Sequence, residues 1–461
     1  MRAGPSQEEI RRQNLGALLR YVHVHGATSR AELTTALGLN RSTIGALTAE
    51  LAAAGLVSER APRETGRAGR PSLVVRPESA RVFAYAYSIE VDRLRAARIG
   101  LGGVVLDRRQ ADRPPGLLAA ESLPVLTGFM KEMHQTVADG SVHVGSGVAV
   151  GGRLRQPADP LPDRRTGPAH ADRTGATRAD RAGSADPDHA RPPQPTTAGP
   201  VPHQPGPVPH QPEGGCPTRP GAVPGPRQPD QEGLRADGTE LPPLEVVLGE
   251  ALSADRPVRI SNAADASAVA EHVRGAAAGY DNVIFLHRDV GIDAGIIVGG
   301  RRLTGQGGYA GEVGHMVVQP GGRPCRCGAY GCWETEIGEY ALLQAAGRGD
   351  AVGRDAVGRV IDAAARGDAN AQAAVRQVGD WLGFGVANLV NVFNPGVVIF
   401  GGTLRDVYLA AAARVRSRLN SMALPAPREQ VRLRTPQLGD DAALVGAAEL
   451  AFEHLLADPL G

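Results

Sequence analysis

Residues 314–334 read GHMVVQPGGRPCRCGAYGCWE and bring one imidazole and three thiols together: His315, Cys325, Cys327 and Cys332. Zinc takes four such donors tetrahedrally; a set that closes the coordination sphere is structural, whereas a catalytic zinc keeps one position open. Gly328 and Gly331 let the backbone fold tightly enough for three thiolates to converge. The chain holds only four cysteines, too few for a disulfide scaffold, and the crowding of three into 325–332 reads as metal binding in a reducing compartment. The competing reading is a cluster of reduced cysteines without a metal. Cys216 lies in a stretch of different character and is left out of the set.

Two carboxylates, Glu312 and Glu334, flank this motif. They are placed to accept hydrogen bonds from the hydroxyls of a polar ligand, or they are surface carboxylates. Around them residues 241–461 alternate in the α/β manner. VRISN is a strand, a helix follows through Ala264–Ala278, and NVIFLHRDVG, AGIIVGG and VVIFGG are further strands. The glycines of GIDAG (Gly291 to Gly295) and Gly401-Gly402 follow strands, where they serve either phosphate approach or simple turns.

Residues 80–155 read as the start of an α/β domain: consecutive strands over VFAYAYSIEVDRLRAARIGLGGVVLDRR with a turn at Gly102-Gly103, a helix near Leu123–Val137, and the strand HVGSGVAVGG. Residues 156–240 break the pattern. About half of the 36 prolines fall there, aromatic residues are missing, and VPHQP occurs twice. Such composition cannot bury enough apolar area to offset ordering entropy, which predicts disorder. The stretch is either a genuine flexible insert or a segment translated from a shifted reading frame.

Residues 1–75 predict a small helical unit. Ile10, Leu15, Leu18, Leu19 and Val22 recur at helical spacing up to Gly26. Ser29 with Glu32 forms a capping-box pattern ahead of Leu33, Ala36 and Leu37; Gly38-Leu39-Asn40 makes a turn; a third helix runs from Arg41 to Ala54 over Ile44, Leu47 and Leu51. This is the pattern of a helix-turn-helix, with Arg41, Ser42 and Thr43 at the end that enters a major groove and Ser29, at the head of the helix before, as a further DNA contact. Arg67 and Arg70, in GRAGRP, stand where a winged helix has its wing tip and suit a narrow minor groove. Ten arginines against six glutamates make residues 1–75 locally basic, while the whole chain carries +1. A plain three-helix cap or dimerisation domain is the alternative.

At 461 residues the chain is long enough for two or three domains, and 42% hydrophobic residues suffice for their cores. Lys131 is the sole lysine, so Schiff-base or Walker-type phosphate chemistry has almost nowhere to sit. The sequence has no 18-residue apolar run and no apolar core in its first residues, MRAGPSQEEIRRQ. The expectation is a soluble, cytoplasmic protein without a membrane span.

AGEVGH followed by CRCGAYGCWE, with NLVNVFNPGVVIFGG at 388–402 and the helical unit in front, resembles the ROK family of repressors and sugar kinases. The resemblance spans about 1–155 and 241–461. It implies an α/β fold: an N-terminal winged helix-turn-helix followed by a two-lobed ribonuclease-H-like (actin-like ATPase) ROK domain that closes over a sugar. It further implies zinc on His315, Cys325, Cys327 and Cys332, and sugar contacts from Asn262, Glu312, His315 and Glu334, with the metal orienting His315. In the family's kinases an Asn-Asp pair opens the helix after the strand matching VRIS, and that Asp is the general base. Here Ala263 follows Asn262, and losing a general base costs roughly 10²–10⁴ in rate. Asp265 lies too far round the helix to substitute. The family's first phosphate loop, Asp-x-Gly-Gly-Thr, is replaced by SIEVDRL, and its Gly-Thr-Gly by Asp289-Val290-Gly291. Residues 156–240 stand where the family has a short sugar-contacting segment, which leaves one pocket wall missing.

The expected function is a sugar-responsive, DNA-binding repressor of carbohydrate genes without catalytic residues. Its partners are operator DNA and a small sugar effector, and it acts as a homodimer or homotetramer on a palindromic operator. The alternatives are a regulator that no longer senses a sugar, or an ATP-dependent sugar kinase carrying a DNA-binding arm.

Overall fold

The computed structural model describes residues 6–61, 72–114, 119–151, 244–252, 256–288, 291–306, 308–351 and 353–461. The stretch 156–240, Arg67, Arg70, Asp289 and Val290 lie outside the described residues.

Helix α1 (Gln7–His25) starts at a reciprocal cap. The Ser6 hydroxyl accepts the Glu9 N–H at 3.1 Å and the Glu9 carboxylate accepts the Ser6 N–H at 2.6 Å. Strand β1 (Thr28–Ser29) leads into α2 (Arg30–Leu37), whose N-terminus is held by the Ser29 hydroxyl on the Glu32 N–H. Asn40 caps α3 (Arg41–Ala53). Strands β2 (Val57–Arg60) and β3 (Val74–Pro77) complete an antiparallel sheet in the order β1-β3-β2. Leu15, Leu18, Leu19, Val22, Leu33, Ile44, Leu47 and Leu51 are buried as their spacing requires. Ile10 is not: it is 44% exposed, lying in the first turns of α1 ahead of Leu15, where the buried stripe begins.

Two five-stranded sheets follow, with the same strand order. In the first, β4 (Val82–Ile89), β5 (Arg93–Gly100) and β6 (Val104–Asp112) form an antiparallel meander. After α4 (Leu123–His134), β7 (Val142–Val150) pairs parallel to β4; after α5 (Leu244–Leu252), β8 (Val258–Asn262) pairs parallel to β7. Helix α6 (Ala263–Arg274) leads to the second sheet: β9 (Val283–Arg288), β10 (Ile292–Val298) and β11 (Arg301–Arg302). Its meander is extended in parallel by β12 (Val397–Phe400) and β13 (Arg432–Arg434). The helices of this half are α7 (Glu334–Ile337), α8 (Glu339–Ala345), α9 (Arg354–Ala365), α10 (Ala369–Phe393), α11 (Thr403–Met422) and α12 (Pro425–Gln430). The final helix, α13 (Ala442–Ala457), returns to pack with α6 against β4 and β7.

Helix α6 is shorter than the Ala264–Ala278 expected from the pattern. Gly275 follows it, and the buried Glu271 carboxylate turns back to accept the N–H of Ala276 at 2.6 Å and of Leu438 at 2.8 Å. Its approach to β10 is so close that a side chain at Gly295 would overlap the Ala264 carbonyl. Among the described residues no helix is long and apolar enough to cross a membrane.

Candidate functional site

The donor atoms of His315, Cys325, Cys327 and Cys332 lie within 4.8 Å of one another, an arrangement that could hold a metal ion. Cys327 Sγ stands 3.6 Å from Cys332 Sγ, and Cys325 Sγ 3.6 Å from His315 Nδ1. Donors at Zn–S and Zn–N lengths of roughly 2.3 and 2.1 Å sit about 3.5–3.8 Å apart on a tetrahedron, so the spacing fits four-coordination. The backbone enforces it. Val317 bridges to Cys332 and Pro324 to Tyr330, while Gly331, at φ +75°, leaves no room for a Cβ against the Gln319 carbonyl. Trp333 is fully buried, and its indole N–H donates to the Trp381 carbonyl at 2.8 Å, fastening the loop to α10. Burial and the adjacent Glu334 carboxylate push the Cys325 thiol up, so a cation is what would keep it a thiolate.

Of the polar residues expected around a sugar, Glu312, His315 and Glu334 come together beside this cluster. His315 Nε2 lies 3.8 Å from Glu312 Oε2, and its Nδ1 lies 3.8 Å from Glu334 Oε1. The turn carrying Glu312 and His315 rides on β10, because Gly314 lies too close to the Ile292 carbonyl for any side chain. Asn262 arrives from the other half. Its Oδ1 caps α6 by accepting the Ala264 N–H at 2.6 Å, and its Nδ2 donates to Asp293 Oδ2 at 3.3 Å. Ala263 is buried and brings no carboxylate. Asp265 pairs with Arg302 at 3.6 Å, while Arg302 also donates to the Ser261 hydroxyl. Burial, eased by Arg302, raises the Asp265 carboxyl to about 6. Asp293 was not legible as a site residue; its strand shows no motif beyond glycine spacing.

Ala263 also lines a cleft of about 170 Å³, together with Glu90, Asp92, Arg93, Arg95, His287, Arg288, Gly402, Thr403 and Asp440 among others. Ion pairs cross it: Arg95 reaches the Asp440 carbonyl and Asp441 (3.2 Å), and Arg354 reaches Asp440 (3.4 Å). The Glu90-to-Arg93 turn supplies much of this charge. The volume is below the roughly 300–1,000 Å³ of ordinary small-molecule pockets.

In the N-terminal unit Arg41 and Ser42 are exposed at the start of α3, and Thr43 is half-buried. Ser42 Oγ donates to the Asn40 carboxamide at 2.7 Å, and Arg30 forks onto Glu59 at 2.6 and 2.5 Å, fixing α2 on β2. Ser29 is occupied as a cap. This group is far in sequence from the histidine–cysteine cluster and shares no contact with it.

A family model described as the ROK family matches residues 240–454. Over 214 residues the chain is 33% identical to a glucokinase from Streptomyces coelicolor, covering 43% of this chain and 68% of that protein. The chain belongs to the ROK family. It is also 32% identical over 200 residues to a xylose repressor from Bacillus spizizenii, covering 43% of this chain. The chain spans about half, 52%, of that repressor's length. A ROK family transcriptional regulator, a homologue of the E. coli MLC protein, superposes with a TM-score of 0.65 at 21% identity, covering 98% of each chain. The ROK hexokinase of Thermus thermophilus gives 0.53 at 23%, covering 81% of this chain and 99% of that one. At these identities the likenesses speak to fold alone, the sugar-kinase-like fold of ROK proteins.

Proposed function

We propose that this ROK protein is a sugar-responsive, DNA-binding transcriptional repressor of carbohydrate genes, without kinase activity. The observation that carries the reading is Ala263. A buried methyl stands where phosphoryl transfer to a sugar needs a proton acceptor, beside a small cleft filled by arginine–carboxylate pairs. The likeness to xylose repressors supports the same assignment.

In this reading residues 1–75 are a winged helix-turn-helix, with Ser29, Arg41, Ser42, Thr43, Arg67 and Arg70 toward DNA. Residues 80–155 and 241–461 form the two-lobed ribonuclease-H-like ROK domain, and 156–240 is an insert or an out-of-frame segment. The repeated strand order of the two sheets supports the two-lobed assignment. His315, Cys325, Cys327 and Cys332 would hold a structural zinc that fixes His315 through Nδ1 and leaves Nε2 for a ligand hydroxyl. Asn262, Glu312 and Glu334 complete the sugar contacts. The protein works in the cytoplasm as a homodimer or homotetramer.

The test is fluorescence anisotropy on DNA from the chain's own promoter at matched salt, with and without sugar. Binding no tighter than to random DNA overturns the regulator. The kinase alternative, favoured by the glucokinase relatives, predicts sugar-dependent ADP release. DNA binding that no sugar alters would mark a regulator without effector sensing.

A further inference from the structure

We propose that Asp293 is a ligand-contacting carboxylate, and that with Glu312 and Glu334 it makes the sugar site selective for neutral sugars over anionic ones. This rests on the sugar-binding reading above.

Strand alternation sets the direction of Asp293. Ile292 and Ala294 point into the core of the second half, so Asp293 and Gly295 face α6 and the first half. Gly291 lies two residues before Asp293, just ahead of the strand. A Cβ there would stand 3.2 Å from Glu334 Oε2, so Glu334 covers that spot. Glu334 Oε2 therefore lies close to the start of β10, just ahead of Asp293. Asn262 closes the far end. Its carboxamide cannot turn freely, since Oδ1 is committed to the Ala264 N–H, and so Nδ2 is presented next to the Asp293 carboxylate. A sugar hydroxyl beside this pair would donate to the Asp293 carboxylate, whose second oxygen can accept it.

Charge sets the class of ligand. Arg302 and Arg288, on the strands flanking β10 in sequence, are engaged with Asp265 and Ser261 and with Glu339 and Thr403. A phosphate or carboxylate entering the row would meet Asp293, Glu312 and Glu334 as like charges.

The experiment is calorimetric titration of the full chain with D-glucose, D-xylose, D-glucuronate and D-glucose 6-phosphate, repeated for Asp293→Ala and Asp293→Asn. Zinc content and melting temperature serve as folding controls. The expected result is binding of a neutral sugar, the two anions being at least tenfold weaker. Asp293→Ala should lose about tenfold for the neutral sugar, with Asp293→Asn between. One monodeoxy analogue should bind wild type and Asp293→Ala equally, because it lacks the hydroxyl that Asp293 accepts; a merely structural role would not produce that equality. Unchanged affinity in Asp293→Ala, or preference for either anion, overturns the proposal while leaving sugar sensing intact. A wild-type chain that binds none of the four overturns the sugar-binding reading and this proposal together.

Discussion

His23 Nε2 lies 2.9 Å from Glu449 Oε2, with both side chains buried. The pair joins α1 to α13. The Gly102 N–H donates to His23 Nδ1 at 2.9 Å. Arg274, at the end of α6, donates through Nε to Glu449 Oε1 at 2.6 Å and through Nη1 to the carbonyls of His23 and Gly102. Removing one member strands the others without solvent. Glu449→Leu should therefore destabilise the protein by about 3–5 kcal/mol, read from the urea midpoint.

The same carboxylate makes a pH prediction. Burial works to raise it, but His23 and Arg274 prevail and hold it at about 2, below the ordinary 4.5. A depressed folded value gives stability that is complete above 4.5 and lost as pH falls from there toward 2. The stability gap between wild type and Glu449→Gln should narrow over that window; a constant gap would contradict it.

Asp265 runs the opposite way. Its folded value is raised from 3.8 to about 6, so its contribution is fully present below 3.8 and lost as pH rises through 6. Asp265→Asn should match wild type near pH 4 and exceed it at pH 8 by on the order of 1 kcal/mol, as measured by denaturant unfolding.

Metal analysis of the purified chain should give one zinc per molecule. Cys332→Ser and Gly331→Ala should each release it, the second because its Cβ has no space. Trp333 adjoins Cys332 in the buried loop, so chelation should shift tryptophan emission to the red.

Arg41→Ala should weaken promoter binding. If Arg41 meets a phosphate, the slope of log K against log salt falls by about 1; if it meets a base edge, the loss is about 1–3 kcal/mol and depends on sequence. Anisotropy over a salt series separates the two.

The histidine–cysteine cluster was readable from its spacing because its four donors sit within one loop and carry their own glycines. The three N-terminal helices were equally plain, since Ser29, Gly38 and Asn40 punctuate them locally. The His23–Arg274–Glu449 joint was not: its members lie 251 and 175 positions apart, and a lone histidine on a helix gives no hint of a distant arginine. Ile10 fitted the helical stripe yet stays exposed, because periodicity reports which face is apolar and not how far a neighbour extends. Asp293 escaped notice for a similar reason, its meaning residing in an Asn262 carboxamide across the strand edge.

Helix α6 has Asn262 at its head and Arg274 at its foot, twelve residues apart. At 1.5 Å per residue that is a stiff rod of about 18 Å, and a lean of 10° at one end would swing the other by roughly 3 Å, a full hydrogen-bond length. A small tilt at a polyol would thus be enough to unhook the arginine from the carbonyl of His23. Ala263, a small buried residue at the head of that helix, leaves the lever rigid.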